Sequence, residues 1–339
     1  MNTEEHTRRA AAFRSQKEQR QYWLLLIVLL ILGGCATYGL LVYNNPVPID
    51  SPSFLPVVRR RLTAVTAMVI AAVCQSLATI AFQSITNNRI ITPSLLGFES
   101  LYGTIHTSTI FFLGTDALIN FKGAGAFFIQ VAAMVLLSLL LYGWLLSGKY
   151  INLQLMLLIG IVIGTGLGSL SSFMRRLLSP SEFDVLQARL FGSVNNADTE
   201  YFPVVIPLVI IIALLLMGYA RKLNVISLGK DAATSFGLNY PLSMVYVLIL
   251  VSVLMSISTA LVGPLTFYGF LVATLTYLAA PTYDHRYIFP MALAIGFLIM
   301  TSAYFFMYHV FNAQGVVSVI IELFGGLIFL IVIARKRIL

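Results

Sequence analysis

The stretch that decides the fold class is the apolar run from Val131 to Leu141, which reads VAAMVLLSLLL. Its apolar residues do not alternate with polar ones, as the strands of a membrane barrel require. Helices that cross a bilayer need about 20 mostly apolar residues to span roughly 30 Å of hydrocarbon. The run lies inside a longer apolar segment, Gly125–Leu146, which we therefore predict to be a transmembrane helix.

The composition extends this prediction to the whole chain. Of the 339 residues, 59% are hydrophobic and 10% are charged, whereas soluble domains average about 25% charged residues. We predict an all-α polytopic membrane protein, with a cytoplasmic N-terminal segment at 1–21 and a transmembrane domain at 22–339. The ten predicted spans are Tyr22–Tyr43, Leu62–Ile85, Pro93–Leu113, Gly125–Leu146, Leu153–Phe173, Phe202–Ala220, Pro241–Leu261, Thr266–Ala280, Phe289–Val310 and Val316–Ala334.

Basic residues set the predicted orientation, because cytoplasmic loops are enriched in Lys and Arg. With the N-terminus in the cytoplasm, fourteen of the 21 basic residues fall on the cytoplasmic side and seven on the outer side. This bias predicts that both termini are cytoplasmic. The net charge of +8 is thus explained by basic loops and does not indicate nucleic-acid binding.

The chain carries no motif for chemistry of its own. Cys35 and Cys74 lie in apolar runs and are predicted to be small buried residues, and His106 and His309 are predicted to be packed within the helices or at the interface. We find no set of His, Cys and carboxylate residues with the spacing of a metal site. The sequence contains no phosphate-binding loop, so we expect no cofactor in this chain, no catalytic residue, and hydrolysis of any ATP by a separate chain.

Three glycines in the fifth span, Gly160, Gly164 and Gly168, are spaced four apart and therefore share one helix face. A face of small residues allows another helix to approach closely. The same face also suits a smooth wall along a substrate path. Both interpretations remain open from the sequence.

Charged residues inside or beside the spans are the next candidates. Glu99 and Glu322 lie in predicted spans, where a carboxylate is costly and often functional, although a place near the interface or within hydrogen-bonded packing also explains them. The triplet Arg59, Arg60 and Arg61 precedes the second span on the outer side, against the charge rule. It suits lipid head groups or an acidic partner, since Arg forms paired hydrogen bonds with carboxylates.

The connection at 221–240 is long and carries small residues between two glycines. This composition suits a short helix that fits closely against another protein. The segment comprises Leu228, Gly229, Lys230, Asp231, Ala232, Ala233, Thr234, Ser235, Phe236 and Gly237.

Several motifs together resemble the FecCD-type permeases of ABC importers for ferric siderophores and vitamin B12. The most specific block is Phe82–Phe98, which keeps Gln83, Asn88, Pro93, Leu96 and Gly97 of the family pattern. Further similar elements are Leu190–Ser193, Leu228–Gly237, Gly263–Gly269, Asp284–Arg286 with Pro290, and Gly325–Phe329. The Asn-Asn-Arg-Ile form of the block is similar to the subgroup that imports catecholate or mixed siderophores with a second, different permease chain.

The chain also departs from the family pattern. Arg89 stands where the family has Pro, Val272–Thr274 replaces a Pro-His pair, and Ala303-Tyr304 replaces an Ala-Asp pair. Of the outer arginines, Arg60 best matches the second Arg of the family's Arg-x-Pro-Arg. These departures fit a divergent subgroup.

The resemblance implies a mechanism and a set of partners. An extracytoplasmic siderophore-binding protein would dock on Arg59, Arg60 and Arg61 and deliver ferric siderophore to two permease chains in the bacterial cytoplasmic membrane. Two ATP-binding subunits would bind the coupling loop at 221–240, and ATP would rock the helices between two states. The implied path residues are Gln83, Asn87, Asn88, Gly160, Gly164 and Gly168.

Two other functions remain compatible with the residues alone. A proton-coupled secondary transporter would use Glu99 and Glu322 as proton carriers. A membrane scaffold without transport activity would need none of these residues. Uptake assays that separate ATP from a pH gradient distinguish the three.

Overall fold

A computed structural model describes residues 12–43, 51–52, 54–120, 123–146, 153–191, 194, 197, 199–311 and 316–336. Twelve α-helices lie in this part of the chain, together with 3₁₀ turns at Pro93–Leu96 and Thr199–Tyr201. The helices are α1 Gln16–Val42, α2 Phe54–Thr86, α3 Phe98–Asn120, α4 Gly123–Leu146, α5 Leu153–Arg176, α6 Pro180–Leu190, α7 Phe202–Ile226, α8 Lys230–Ser235, α9 Tyr240–Val262, α10 Tyr268–Ala279, α11 His285–His309 and α12 Val317–Lys336.

The predicted all-α fold is confirmed for the described residues. Seven helices there are long and apolar enough to cross a membrane, namely α1, α2, α4, α5, α7, α9 and α11. The third, eighth and tenth predicted spans fall on α3, α10 and α12. Helix α3 departs from helical geometry at Gly114, and α10 has only 12 residues. Seven spans are therefore supported by length and composition.

Helices α2, α9 and α11 form the centre of the bundle. In its most apolar stretch α2 is 83% buried, whereas α1 is 17% buried and presents its apolar side chains outward. Small residues allow the central helices to approach closely. At Gly296 a Cβ atom would lie 2.3 Å from Ser76 Oγ, and Tyr268 donates a hydrogen bond to the Gly296 carbonyl at 2.7 Å.

Several boundaries differ from the predicted ones. Helix α2 begins at Phe54 and not near Leu62, so the three arginines lie within the helix and not before it. Helix α1 begins at Gln16, within the predicted 1–21 segment, because the Ser15 side chain caps it. Hydropathy places a span where lipid begins, whereas capping and continued backbone hydrogen bonding decide where a helix begins.

The polar connection after α5 contains the short helix α6, Pro180–Leu190, which begins with a capping box between Ser179 and Glu182. Cys74 is buried as predicted, but Cys35 is exposed on the outer surface of α1, so its prediction as a buried residue is wrong. The apolar periodicity of α1 is weak because the helix is apolar on all sides, so its sequence does not reveal which face packs.

Candidate functional site

A cavity with several hydroxyl groups in its lining lies along α5, between this helix, the start of α3 and the residues before α10. We call it the α5 groove; its volume is about 760 Å³. Gly164 and Gly168 line it, as do Glu99 and Arg176. Its hydroxyl-bearing residues are Ser94, Ser100, Thr165, Ser169, Ser172 and Thr266. The hydroxyl groups along this wall can form hydrogen bonds with a polar solute, and most of the residues that line the groove carry no charge.

The glycine face serves two purposes along its length. A Cβ on Gly160 would lie 2.9 Å from the Leu96 side chain, and a Cβ on Gly164 would lie 3.0 Å from Gly97 Cα. The first two glycines therefore pack α5 against the 3₁₀ turn. A Cβ on Gly168 would have only one neighbour within 4 Å, at 3.8 Å. Helix packing and a smooth groove wall, the two interpretations open from the sequence, thus occur on the same face.

Glu99 lies at the base of the α5 groove, in the first turn of α3. Thr266 donates a hydrogen bond of 2.6 Å to its Oε2 atom. Its Oε1 atom is buried and has no hydrogen-bond partner within the described part of the chain. Glu322, on α12, is half-buried. The two carboxylates of the predicted spans are therefore placed on different helices beside residues that line the groove.

A second cavity, of about 540 Å³, lies where α2 ends and α11 begins. We call it the α2–α11 cavity. Gln83, Asn87 and Arg89 line it, and Gln83 Nε2 donates to the Arg89 carbonyl at 2.7 Å. Arg89 stacks over the rings of Tyr277 and Tyr283, at 4.4 and 5.8 Å from their centroids.

The predicted path residues thus separate into groups. Gly164 and Gly168 line the α5 groove, and Gln83 and Asn87 line the α2–α11 cavity. Asn88 instead accepts a hydrogen bond from the Ile90 backbone and stabilises the turn after α2.

The three outer arginines are not equivalent. Arg61 Nη1 donates to the carbonyls of Leu40, Leu41 and Tyr43, at 3.2 to 3.3 Å, so it satisfies the C-terminal carbonyls of α1. Arg59 and Arg60 are exposed. The sequence does not distinguish the three arginines, because the contact that sets Arg61 apart is made with a neighbouring helix.

The predicted coupling segment forms a turn around the short helix α8. Gly229 and Gly237 flank the helix with positive φ values of 103° and 77°, which favour glycine. Leu228 and Phe236 are 64% and 70% exposed, whereas Ala233 is fully buried. The segment therefore exposes one large apolar side chain on each side of a short helix that Ala233 anchors, and exposed apolar groups of this kind often mark a surface that binds another protein.

A hydrogen-bonded network that the sequence did not reveal joins α2, α7 and α11 beside this segment. His285 contacts Ser84 and Asn224 at 2.5 and 2.6 Å. Partial burial opposes ionisation of Asp284, but hydrogen bonds from Arg286 and Asn224 lower the pKa of its carboxyl group to about 2. The Asp284–Arg286 turn was noted as a family motif, but Asn224 was assigned to a loop and carried no signal.

The sequence matches one protein family along most of its length. The FecCD transport family matches residues 23–335. This chain belongs to the FecCD transport family. The Gly192-Ser193 pair of the resemblance lies outside the described residues. This FecCD chain is a multi-pass membrane transport subunit and not an enzyme, and membership supports the ABC permease over the proton-coupled alternative.

Two named relatives and one solved structure are similar to this chain over most of its length. The FecCD chain is 72% identical over 331 residues to the petrobactin import system permease protein FatC of Bacillus anthracis, covering 98% of this chain and 94% of the relative. It is 25% identical to the petrobactin import system permease protein FatD of the same organism, covering 82% and 80%. An inward-facing metal-chelate-type ABC transporter shares the fold, with a TM-score of 0.74, 17% identity, and coverage of 94% and 99%.

Proposed function

We propose that this protein is a permease subunit of an ATP-driven importer that carries iron-loaded petrobactin across the bacterial cytoplasmic membrane. The observation that carries the proposal is the 72% identity to FatC over nearly the full length of both chains. In this proposal ten helices cross the membrane, both termini are cytoplasmic, and ATP binds to two separate subunits.

The second permease is proposed to be a different chain. FatC and FatD of Bacillus anthracis are both named petrobactin import permeases, and this chain is 72% identical to FatC and 25% identical to FatD. Such a difference favours a heterodimer in which this chain takes the place of FatC. The cargo path would then run between two unlike chains, with the α5 groove as one of its walls.

The two cavities support this path. In the proposed orientation the α5 groove opens toward the outer side near Arg176, and the α2–α11 cavity opens toward the cytoplasm. The hydroxyls of the groove suit a large polar chelate, because they exchange hydrogen bonds with it at several successive positions. Glu99 adds one carboxylate at the base of the groove.

Exposed residues support one partner on the outer side of the membrane and another on the cytoplasmic side. Arg59 and Arg60 are exposed at the start of α2 and suit carboxylates of a binding protein. Arg61 is a weaker candidate because it binds the end of α1. At the other end, Leu228 and Phe236 suit an apolar pocket on an ATPase subunit.

Uptake of iron-loaded petrobactin by proteoliposomes tests the function. The vesicles contain this chain with a FatD-like chain, the ATPase subunits and the binding protein. We expect uptake only when ATP is enclosed and the binding protein is present. Uptake driven by a pH gradient without ATP would support the proton-coupled alternative, and no uptake under either condition would support the scaffold.

Two variants test whether Arg60 docks the binding protein. Arg60→Glu should abolish uptake while membrane insertion is retained, and Arg60→Lys should retain part of the uptake because it keeps the charge but not the paired hydrogen bonds. Normal uptake by Arg60→Glu would show that Arg60 does not dock the binding protein.

At the coupling segment, Gly237→Val should uncouple ATP hydrolysis from transport because valine strains a backbone with φ of 77°. A bulky residue in place of Ala232 should also uncouple ATP hydrolysis from transport, because its size prevents close contact of the segment with the ATPase. If these mutants still increase ATP hydrolysis in response to loaded binding protein, the segment does not contact the ATPase.

A further inference from the structure

The network around His285 joins three helices through one imidazole ring. Ser84 belongs to α2, Asn224 to α7 and His285 to α11. The Ser84 Oγ atom lies 2.5 Å from His285 Nε2, and the Asn224 Oδ1 atom lies 2.6 Å from His285 Nδ1. Ser84 and His285 are both buried, and Asn224 is half-buried.

The orientation of the Asn224 amide follows from its other contacts. Its Oδ1 atom also accepts from the His285 backbone N–H at 2.9 Å, and its Nδ2 atom donates to Asp284 at 3.0 Å. Since a carbonyl oxygen only accepts, His285 Nδ1 must carry the hydrogen. In a neutral imidazole, Nε2 is then an acceptor that faces Ser84.

The Ser84 hydroxyl therefore has one hydrogen and at least two acceptors. It lies 2.7 Å from the Ile80 carbonyl of its own helix and 2.5 Å from His285 Nε2. When it donates to His285, α2 is bonded to α11; when it donates to Ile80, that bond between helices is lost. One hydroxyl rotation thus exchanges a bond between helices for one within a helix, which is a two-state contact of the kind that switching requires.

The location of the network connects it to the moving parts of the proposed importer. Asn224 lies two residues before α7 ends at Ile226, and the coupling segment begins two residues later at Leu228. Ser84 follows Gln83, and both line the α2–α11 cavity with Leu228. The short connection from Asn224 to α8 places the network next to the coupling segment, and the imidazole adds hydrogen bonds from Asn224 to Ser84 where α7 already packs against α2.

We propose that His285 is a positioning residue that transmits movement of the coupling segment to the end of α2, where Gln83, Asn87 and Arg89 line the cavity. This inference rests on the proposed function. It concerns how the two ends of the permease are coupled, and it assigns no contact between His285 and the cargo.

Paired variants separate the two bonds of the ring. In His285→Asn, the shorter amide reaches the position of Nδ1 and keeps the bond to Asn224, but it does not reach Ser84. In His285→Gln, the longer amide reaches the position of Nε2 and keeps the bond to Ser84. Ser84→Ala removes the link to α2 directly. Thr301→Ala is the matched control, because among the described residues this buried α11 hydroxyl donates to carbonyls of its own helix, Phe297 and Leu298.

The experiment measures ATP hydrolysis and uptake of iron-loaded petrobactin by the complete importer in proteoliposomes. For Ser84→Ala and His285→Asn we expect stimulated ATP hydrolysis close to wild type and about tenfold less cargo per ATP, the effect of losing one buried hydrogen bond. His285→Gln should retain more of the cargo-to-ATP ratio than His285→Asn, and Thr301→Ala should match wild type.

The results distinguish this role from a merely structural one. If all variants keep the wild-type ratio of cargo to ATP, or if uptake and ATP hydrolysis fall together in proportion to the amount of folded protein, His285 does not transmit the movement. If wild type itself shows no ATP-dependent uptake, the proposed function fails first and the inference fails with it.

Discussion

The packing of α5 against the 3₁₀ turn gives a prediction whose size follows from the coordinates. Gly164 is buried, and a Cβ there would lie 3.0 Å from Gly97 Cα. Gly164→Ala must therefore move two backbones apart by about 0.5–1 Å to reach the roughly 3.5–4.0 Å of ordinary carbon contact. Overpacking of this kind costs about 1–3 kcal/mol.

The matched control is Gly166→Ala in the same helix. Gly166 is exposed, and a Cβ there would meet nothing within 4 Å. Both substitutions gain the same helix propensity, about 0.5–1 kcal/mol relative to glycine. The difference between the two variants is therefore the overpacking cost alone, about 1–3 kcal/mol in the free energy of unfolding.

Denaturant titration of the two variants in detergent micelles, followed by tryptophan fluorescence, measures this difference. Gly166→Ala should be at least as stable as wild type, and Gly164→Ala should unfold at lower denaturant. Gly168→Ala, whose Cβ would have one neighbour at 3.8 Å, should resemble Gly166→Ala in stability. Equal stability of Gly164→Ala and Gly166→Ala would refute the close approach of α5 to the turn.

Three further predictions concern other contacts. Arg61→Ala should lower the stability of the bundle by about 1 kcal/mol because the α1 carbonyls lose a charged donor. Arg61→Lys should recover part of this loss in the same denaturant titration. Unchanged stability in Arg61→Ala would contradict the role of Arg61 at the end of α1. Hydrogen bonds from the Ser179 backbone and hydroxyl lower the pKa of Glu182, so the protection of α6 amides from hydrogen exchange should hold at neutral pH and fall as the pH drops through that lowered pKa. Ser179→Ala removes the hydroxyl donor but keeps the backbone donor, so it should weaken this pH dependence, whereas Glu182→Gln should abolish it; an unchanged profile in Glu182→Gln would count against the capping box. Gly296→Ala should reduce the yield of folded protein because its Cβ would lie 2.3 Å from Ser76 Oγ. Addition of Ser76→Ala to this variant should partly restore the yield. A full yield from Gly296→Ala alone would contradict this packing.

The fold class and much of the segment order were predictable because both depend on local properties. Apolar length predicted the helices, and the Phe82–Phe98 block indicated the family that the comparison then showed. Helix starts were less predictable: Arg59 to Arg61 lie within α2 because backbone hydrogen bonding continues beyond the apolar stretch. Hydropathy also did not predict that Cys35 faces outward, since α1 is apolar on every side.

The candidate site was predictable only in part. Gly164 and Gly168 line the α5 groove, and Gln83 and Asn87 line the α2–α11 cavity, as small and polar exceptions within apolar runs suggested. Asn224 was missed, because one asparagine near a helix end has no distinguishing pattern until His285 and Asp284 are brought to it from residues far along the chain.

Sequence alone determined that this protein is a helical membrane protein of the FecCD transport family, because hydropathy and local motifs require no knowledge of distant contacts. Tertiary structure alone decided which of three adjacent arginines is bound to α1, which glycines pack and which line a groove, and that one histidine joins three helices. These properties depend on distances between residues remote in the chain. A pattern along one segment contains no information about the partner that another segment supplies.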